Sequence, residues 1–293
     1  MKNSVKTATA AFFITALFCA AAVCADMKDP NQIIKKSQDY MLSLDSYSYR
    51  IFGEGWDMNP EEIAKRTADT AGDASKQFSQ VEDIAGGIKK DAESGENNKP
   101  IYRKYECEFK FKKPYLLQMH VIMSDYVPKI IYGSVMTYRP DNNPKVWWFK
   151  PKPIPFAVKR DVNSESGDFL YSVITINYAI IEAVSTYIKP SLKGVSKMGG
   201  RDAYNIEFKF EKGKKYNPVK VDFKKWGIPK EAQKQFEKEV NGSLTDPKGK
   251  LVFYFDKQSM LIIARETFDF DGKQLNLKQW KDIKVNHLSE KDF

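Results

Sequence analysis

Residues 105–123 read YECEFKFKKPYLLQMHVIM, with apolar and polar positions alternating almost without lapse. Tyr105, Cys107, Phe109 and Phe111 fall on one side of a period of two, while Lys104, Glu106, Glu108 and Lys110 fall on the other. This is the signature of a half-buried antiparallel strand, because successive Cβ atoms leave the pleat on opposite faces. Lys112-Lys113-Pro114 interrupts the pattern, and Leu117, Met119, Val121 and Met123 then mark one face of a second strand, so the segment predicts a hairpin. The two strands together offer about eight apolar side chains to one side, each contributing roughly 1.5–3 kcal/mol when fully buried. Something must cover that face.

Similar alternation predicts further strands at residues 47–56 (YSYRIFGEGW), 129–138 and 145–150, the last containing VWWFK. Gly53 and Gly55 mark a bulge or a close approach, RPDNNP is a turn, and Pro151, Pro153 and Pro155 open a loop. Near the C-terminus, Tyr204, Ile206, Phe208 and Phe210 alternate with Asn205, Glu207 and Lys209. Residues 250–274 then read as a hairpin turning near 256–259, and Asp271-Gly272 precedes a last strand, LNLKQWKDIKVN. Helical spacing is confined to a few places. Residues 29–44 place Ile33, Ile34, Met41 and Leu44 behind Asp29-Pro30, and a short polar helix is expected at 229–240 after a loop at 212–228. Phe169, Leu170, Val173, Ile174, Ile180, Ile181, Val184 and Ile188 recur at near-helical spacing up to Pro190, which makes this run the candidate cover for the sheet. Residues 57–100 are polar and weakly periodic, and they read as a helical insertion in a single domain spanning 26–293.

The first 25 residues are set apart as an export signal. Lys2 and Lys6 precede the apolar run 8–22, and Val23-Cys24-Ala25 supplies small residues for cleavage before Asp26. Val23 before Cys24 and Phe18 before Cys19 argue against lipid anchoring at either cysteine. Cleavage would leave Cys107 alone, so no internal disulfide is expected, and its place in the alternation makes it a small buried hydrophobe. Loss of Lys2 and Lys6 leaves 45 basic side chains against 38 acidic ones. That excess suits an anionic membrane surface, but the charges are scattered and form no nucleic-acid footprint.

Three segments resemble the periplasmic lipoprotein-carrier superfamily of LolA-like and LolB-like proteins. They are CEFKFKKPYLLQMHVIM with its Lys-Pro turn between strands, YRPDNNPKVWWFKP, and GGRDAYNIEF together with LVFYFDKQSMLIIARETFDF. The resemblance spans roughly residues 33–286 and implies an α+β fold, a curved antiparallel β-sheet forming a half-barrel wrapped around amphipathic helices. It also implies a hydrophobic cavity that holds an acyl chain, a lipid or a lipoprotein anchor in a monomeric periplasmic carrier. On that reading Tyr105, Phe109, Leu117, Met119, Val121, Trp147, Phe149, Tyr204, Ile206 and Phe208 line the cavity. The same residues read without the resemblance are ordinary core. The family's cavity arginine has no match in the motifs.

Enzymatic signatures are missing from the sequence. His120 and His287 are far apart, and no His-x-x-x-His, Cys-x-x-Cys or Gly-x-Ser-x-Gly occurs. The expectation is a non-enzymatic protein without metal or cofactor. The alternative to a carrier is an envelope sensor or protein-interaction scaffold of the same fold, with its sheet face filled by its own helix.

Overall fold

The computed structural model describes residues 27–56, 102–125, 132–152, 156–162 and 173–293. The proposed signal segment and the 57–100 insertion lie outside the described residues.

The described chain opens with α1 (Pro30–Ser43), in which the Asp29 carboxylate accepts the Asn31 N–H at 2.9 Å and Pro30 supplies the first helical residue. Ile33, Ile34, Ser37 and Met41 form its buried stripe. Eleven strands follow in one open antiparallel sheet: β1 (Ser46–Trp56), β2 (Tyr102–Lys112), β3 (Leu116–Ser124), β4 (Val135–Tyr138), β5 (Val146–Lys150), β6 (Val158–Asp161), β7 (Ser191–Met198), β8 (Arg201–Lys209), β9 (Lys250–Asp256), β10 (Ile262–Phe268) and β11 (Gln274–Val285). Their spatial order is β6-β5-β4-β3-β2-β1-β11-β10-β9-β8-β7. Two meanders of sequential neighbours therefore meet at a single non-sequential pairing, β1 against β11. With α2 (Thr175–Ser185) and α3 (Lys230–Thr245), this is the expected α+β half-barrel.

The covering helix is shorter than its apolar run. Within the described residues α2 begins at Thr175 and ends at Ser185, followed by a turn that carries Ile188, while Phe169 and Leu170 lie outside the described residues. Nine of its eleven residues are buried, and only Glu182 and Ser185 in its last turn reach solvent. Polar contacts tie it to the sheet and to α1. Tyr49 on β1 accepts the Ile174 N–H at 3.1 Å, Tyr178 shares a 2.8 Å hydrogen bond with Ser37 on α1, and the Tyr178 hydroxyl accepts the Ile262 N–H at 3.4 Å. Helix α3 packs against α2. It runs to Thr245, past the expected 240, and is amphipathic: Ala232, Phe236, Val240 and Leu244 make a buried stripe at four-residue spacing.

Other expectations need correction. β6 and β7 are not visible in the alternation, and the loop at 212–228 contains a 3-10 turn, Phe223–Trp226. β4 starts at Val135 rather than 129, and 126–131 lie outside the described residues. Met123 does not share the face of Leu117, Met119 and Val121. A register shift lets Cys107 pair with Val121 and Glu106 with Met123, so Ser124 takes the inner position opposite Tyr105.

The glycines of β1 are close approaches. Gly53 lies beneath the Tyr105 ring, and a Cβ at Gly55 would stand 2.7 Å from the Leu275 carbonyl oxygen. Gly55→Ala is expected to lower stability by about 1–3 kcal/mol, because backbone at the central seam must shift. Urea denaturation with an unchanged slope and a lower midpoint would show it.

Candidate functional site

The inner face of the sheet is a field of aromatic and aliphatic side chains. Tyr47 stacks on Phe111 at 4.7 Å and Tyr49 on Phe109 at 5.3 Å, across the β1–β2 pairing. Phe111 meets Tyr115 edge-on, and Tyr115 meets both Tyr138 of β4 and Phe236 of α3 in the same way. On the other meander Phe208 and Phe253 form an edge-to-face pair at 5.9 Å. Such pairs add specific geometry to what burial supplies.

Nine of the ten residues expected to line a cavity are buried: Phe109, Leu117, Met119, Val121, Trp147, Phe149, Tyr204, Ile206 and Phe208. Tyr105 is half-buried at the edge of the same cluster. The structure thus brings all ten together on one face, in a continuous apolar interior shared with α1, α2 and α3.

The alternation of the strands does not announce the polar groups in this interior. Trp226 Nε1, Trp280 Nε1 and Arg265 Nε are buried without a hydrogen-bond partner. Burial pushes the Tyr47 phenol well above its ordinary pKa, and a side-chain hydrogen bond with Thr175 offsets part of that rise. Arg265 is only 8% exposed. It reaches the inner face because β10 bulges between Ile262 and Ala264, so Ile262, Arg265 and Thr267 point inward opposite Phe255, Phe253 and Leu251. Asn177 of α2 accepts one hydrogen bond from Arg265 Nη1 at 3.2 Å. Burial lowers the guanidinium pKa, while Glu239 of α3 and Tyr105 oppose that shift. Across β11, Arg265 is in register with Lys278, which in turn lies opposite Gly53.

His120 is on the outer face, in register with Glu108, its ring Nδ1 3.7 Å from the carboxylate. His287 meets Ser48 Oγ at 3.2 Å on the surface. Among the described residues there is no group of three or more metal-ligating His, Cys, Asp or Glu side chains, and no helix is long and apolar enough to cross a membrane.

No protein-family model and no curated protein matches this chain. Solved structures do resemble it. An uncharacterised conserved protein from Thermus thermophilus aligns at TM-score 0.40 and 8% identity, covering 89% of this chain and 90% of that one. The Mycobacterium tuberculosis lipoprotein LppX aligns at TM-score 0.40 and 9% identity, covering 88% and 96%. A LolA superfamily protein from Nitrosomonas europaea aligns at TM-score 0.32 and 9% identity, covering 92% and 98%. The last belongs to the superfamily that the strand motifs resemble.

Cys107 is the buried small hydrophobe its alternation implied, and burial, with the Glu106 charge adding to it, pushes its thiol up to about 12. A raised acid pKa favours the neutral form in the fold. The stability it contributes is therefore complete below the unfolded thiol pKa, about 8.5, and is lost as pH rises through the folded value. In protein beginning at Asp26, a thiol reagent at about pH 8 is expected to leave native Cys107 unlabelled and to label it fully in guanidinium. Rapid native labelling would contradict its enclosure.

Proposed function

We propose that this is an exported, non-enzymatic carrier whose half-barrel shields an acyl chain or lipoprotein anchor between the sheet and its covering helices. One observation carries the reading: the interior is apolar, yet Trp226 and Trp280 present buried indole N–H groups without a hydrogen-bond partner. A purely structural core gains nothing from such groups, because an unpaired buried donor keeps its desolvation cost. An acyl ester or amide supplies both the chain that fits the aromatic face and carbonyl oxygens that accept from the donors. Affinity would come from apolar area removed from water, at roughly 25 cal/mol per Å² before the costs of association. Loading and release would require α2 and α3 to part from the sheet. The basic excess suits transfer at an anionic membrane surface, and the Lys2-led apolar segment accounts for delivery to the periplasm.

The sensor or scaffold reading is favoured by a different feature. α2 is buried at nine of its eleven positions and already covers much of the aromatic face, as a helix with no cargo to exchange would.

Mass spectrometry of an organic extract from natively purified protein separates the two. A near-stoichiometric acylated molecule is expected, with displacement of a fluorescent fatty-acid probe by added lipid. Met136 lies half-buried opposite the proposed lining residue Met119. Met136→Trp, which adds volume there, is expected to retain the fold by circular dichroism and to weaken probe binding at least about tenfold, about 1.4 kcal/mol. A clean extract and no probe binding would remove the carrier reading and leave the scaffold.

A further inference from the structure

Arg265 stands in a cross-strand row of the inner face whose two neighbours differ in chemistry. On one side of it in the strand register lies Lys278, a second cation on the same face. On the other side lie Phe253 and then Ile206, both completely buried. The row thus runs from positive charge to an apolar track spanning two strand spacings, about 10 Å. Buried arginines are ordinarily matched by a carboxylate. Among the described residues none lies within ion-pair distance of Arg265; Asn177 supplies one neutral acceptor, and Glu239 acts only at longer range. The Nε of the guanidinium is left without an acceptor although it is enclosed. Nothing in the packing of a plain core calls for a cation there, since an apolar side chain would fill the position without the desolvation cost.

We propose that Arg265 is the head-group anchor of an anionic amphiphile: an acyl chain ending in a carboxylate or phosphate. The paired oxygens of such a head match the fork of donors along the guanidinium edge that carries Nε, and Lys278 adds positive charge beside it. Once α2 and α3 part from the sheet, the chain lies over Phe253 and Ile206, which the closed structure covers completely. This inference rests on the carrier reading and narrows its cargo from acyl chains in general to those with a negative head.

The test compares dodecanoate, dodecyl phosphate, methyl dodecanoate and inorganic phosphate as competitors of a bound fluorescent probe, in wild type, Arg265→Met and Arg265→Gln. Wild type is expected to bind the acid and the dodecyl phosphate at least about tenfold more tightly than the methyl ester. Both variants should bind all three acyl ligands alike, near the wild-type affinity for the ester. Methionine at this position should leave the thermal midpoint unchanged or higher, whereas a purely structural arginine would lower the midpoint and weaken all ligands together. If Arg265→Met fails to fold, Arg265→Gln, which keeps a donor for Asn177, carries the comparison. Equal wild-type affinity for acid and ester would overturn the anchor while leaving the carrier intact. Inorganic phosphate competing as well as dodecyl phosphate would overturn it in favour of a small-anion site. No binding of any acyl ligand would remove the carrier reading and the anchor with it.

Discussion

A helix with apolar residues on nearly every side has little it can turn to water, and the fold is organised around enclosing one whose solvent contact is confined to Glu182 and Ser185 in its last turn. Helix α2 supplies Ile176, Ala179, Ile180, Ile181, Ala183 and Val184 to that enclosed surface. The sheet must curve to hold it, and α1 and α3 are needed to close what the sheet leaves open. The few polar side chains of α2 are spent on location. Tyr178 is bonded to α1 and β10, and Asn177 is held by its own turn and by Arg265. These contacts fix the rotation of a helix whose apolar surface alone would allow several, a specificity that hydrophobic burial does not provide.

The outer face follows a different logic. Cross-strand pairs such as Arg50 with Glu106, Lys104 with Glu54 and Lys193 with Glu207 lie at 3.1–3.5 Å with partly exposed side chains. Each contributes little on its own, of order 1 kcal/mol or less, but together they keep the alternating polar positions on the solvent side. That solvated face is the reason so much of the sheet can be read from the sequence. In β2, β3 and β8 a polar residue returns at nearly every second position, and the strand announces itself.

Where that contrast fades, the chain becomes harder to read. β7, SLKGVSKM, is an edge strand with no fully buried side chain, so it shows no apolar alternation. β6 is only four residues long. α3 reads as polar because its buried stripe is narrow, with Phe236 its only aromatic member. The lining residues are legible as a set, since each sits in a strand with a regular period, but Arg265 is not. In IIARETF a strict period of two places Ile262 and Arg265 on opposite faces, and only the bulge between Ile262 and Ala264 reunites them. A one-residue irregularity of hydrogen bonding thus decides whether a cation faces water or the interior. Met123 departs from its expected face for the same reason, at the β2–β3 register shift.

The seam between β1 and β11 sets the order in which the molecule can be assembled. Every other strand pairing joins neighbours in the chain, whereas this one closes a separation of the size seen between Asp45 and Asn286, 241 residues apart and bonded at 2.8 Å. Two meanders can each zip from local turns, but the entropy of joining them is spent only when the final strand arrives. Until then, both halves carry an unpaired edge beside an uncovered aromatic face. A chain built this way can become one sheet only once its last strand is available to close the centre.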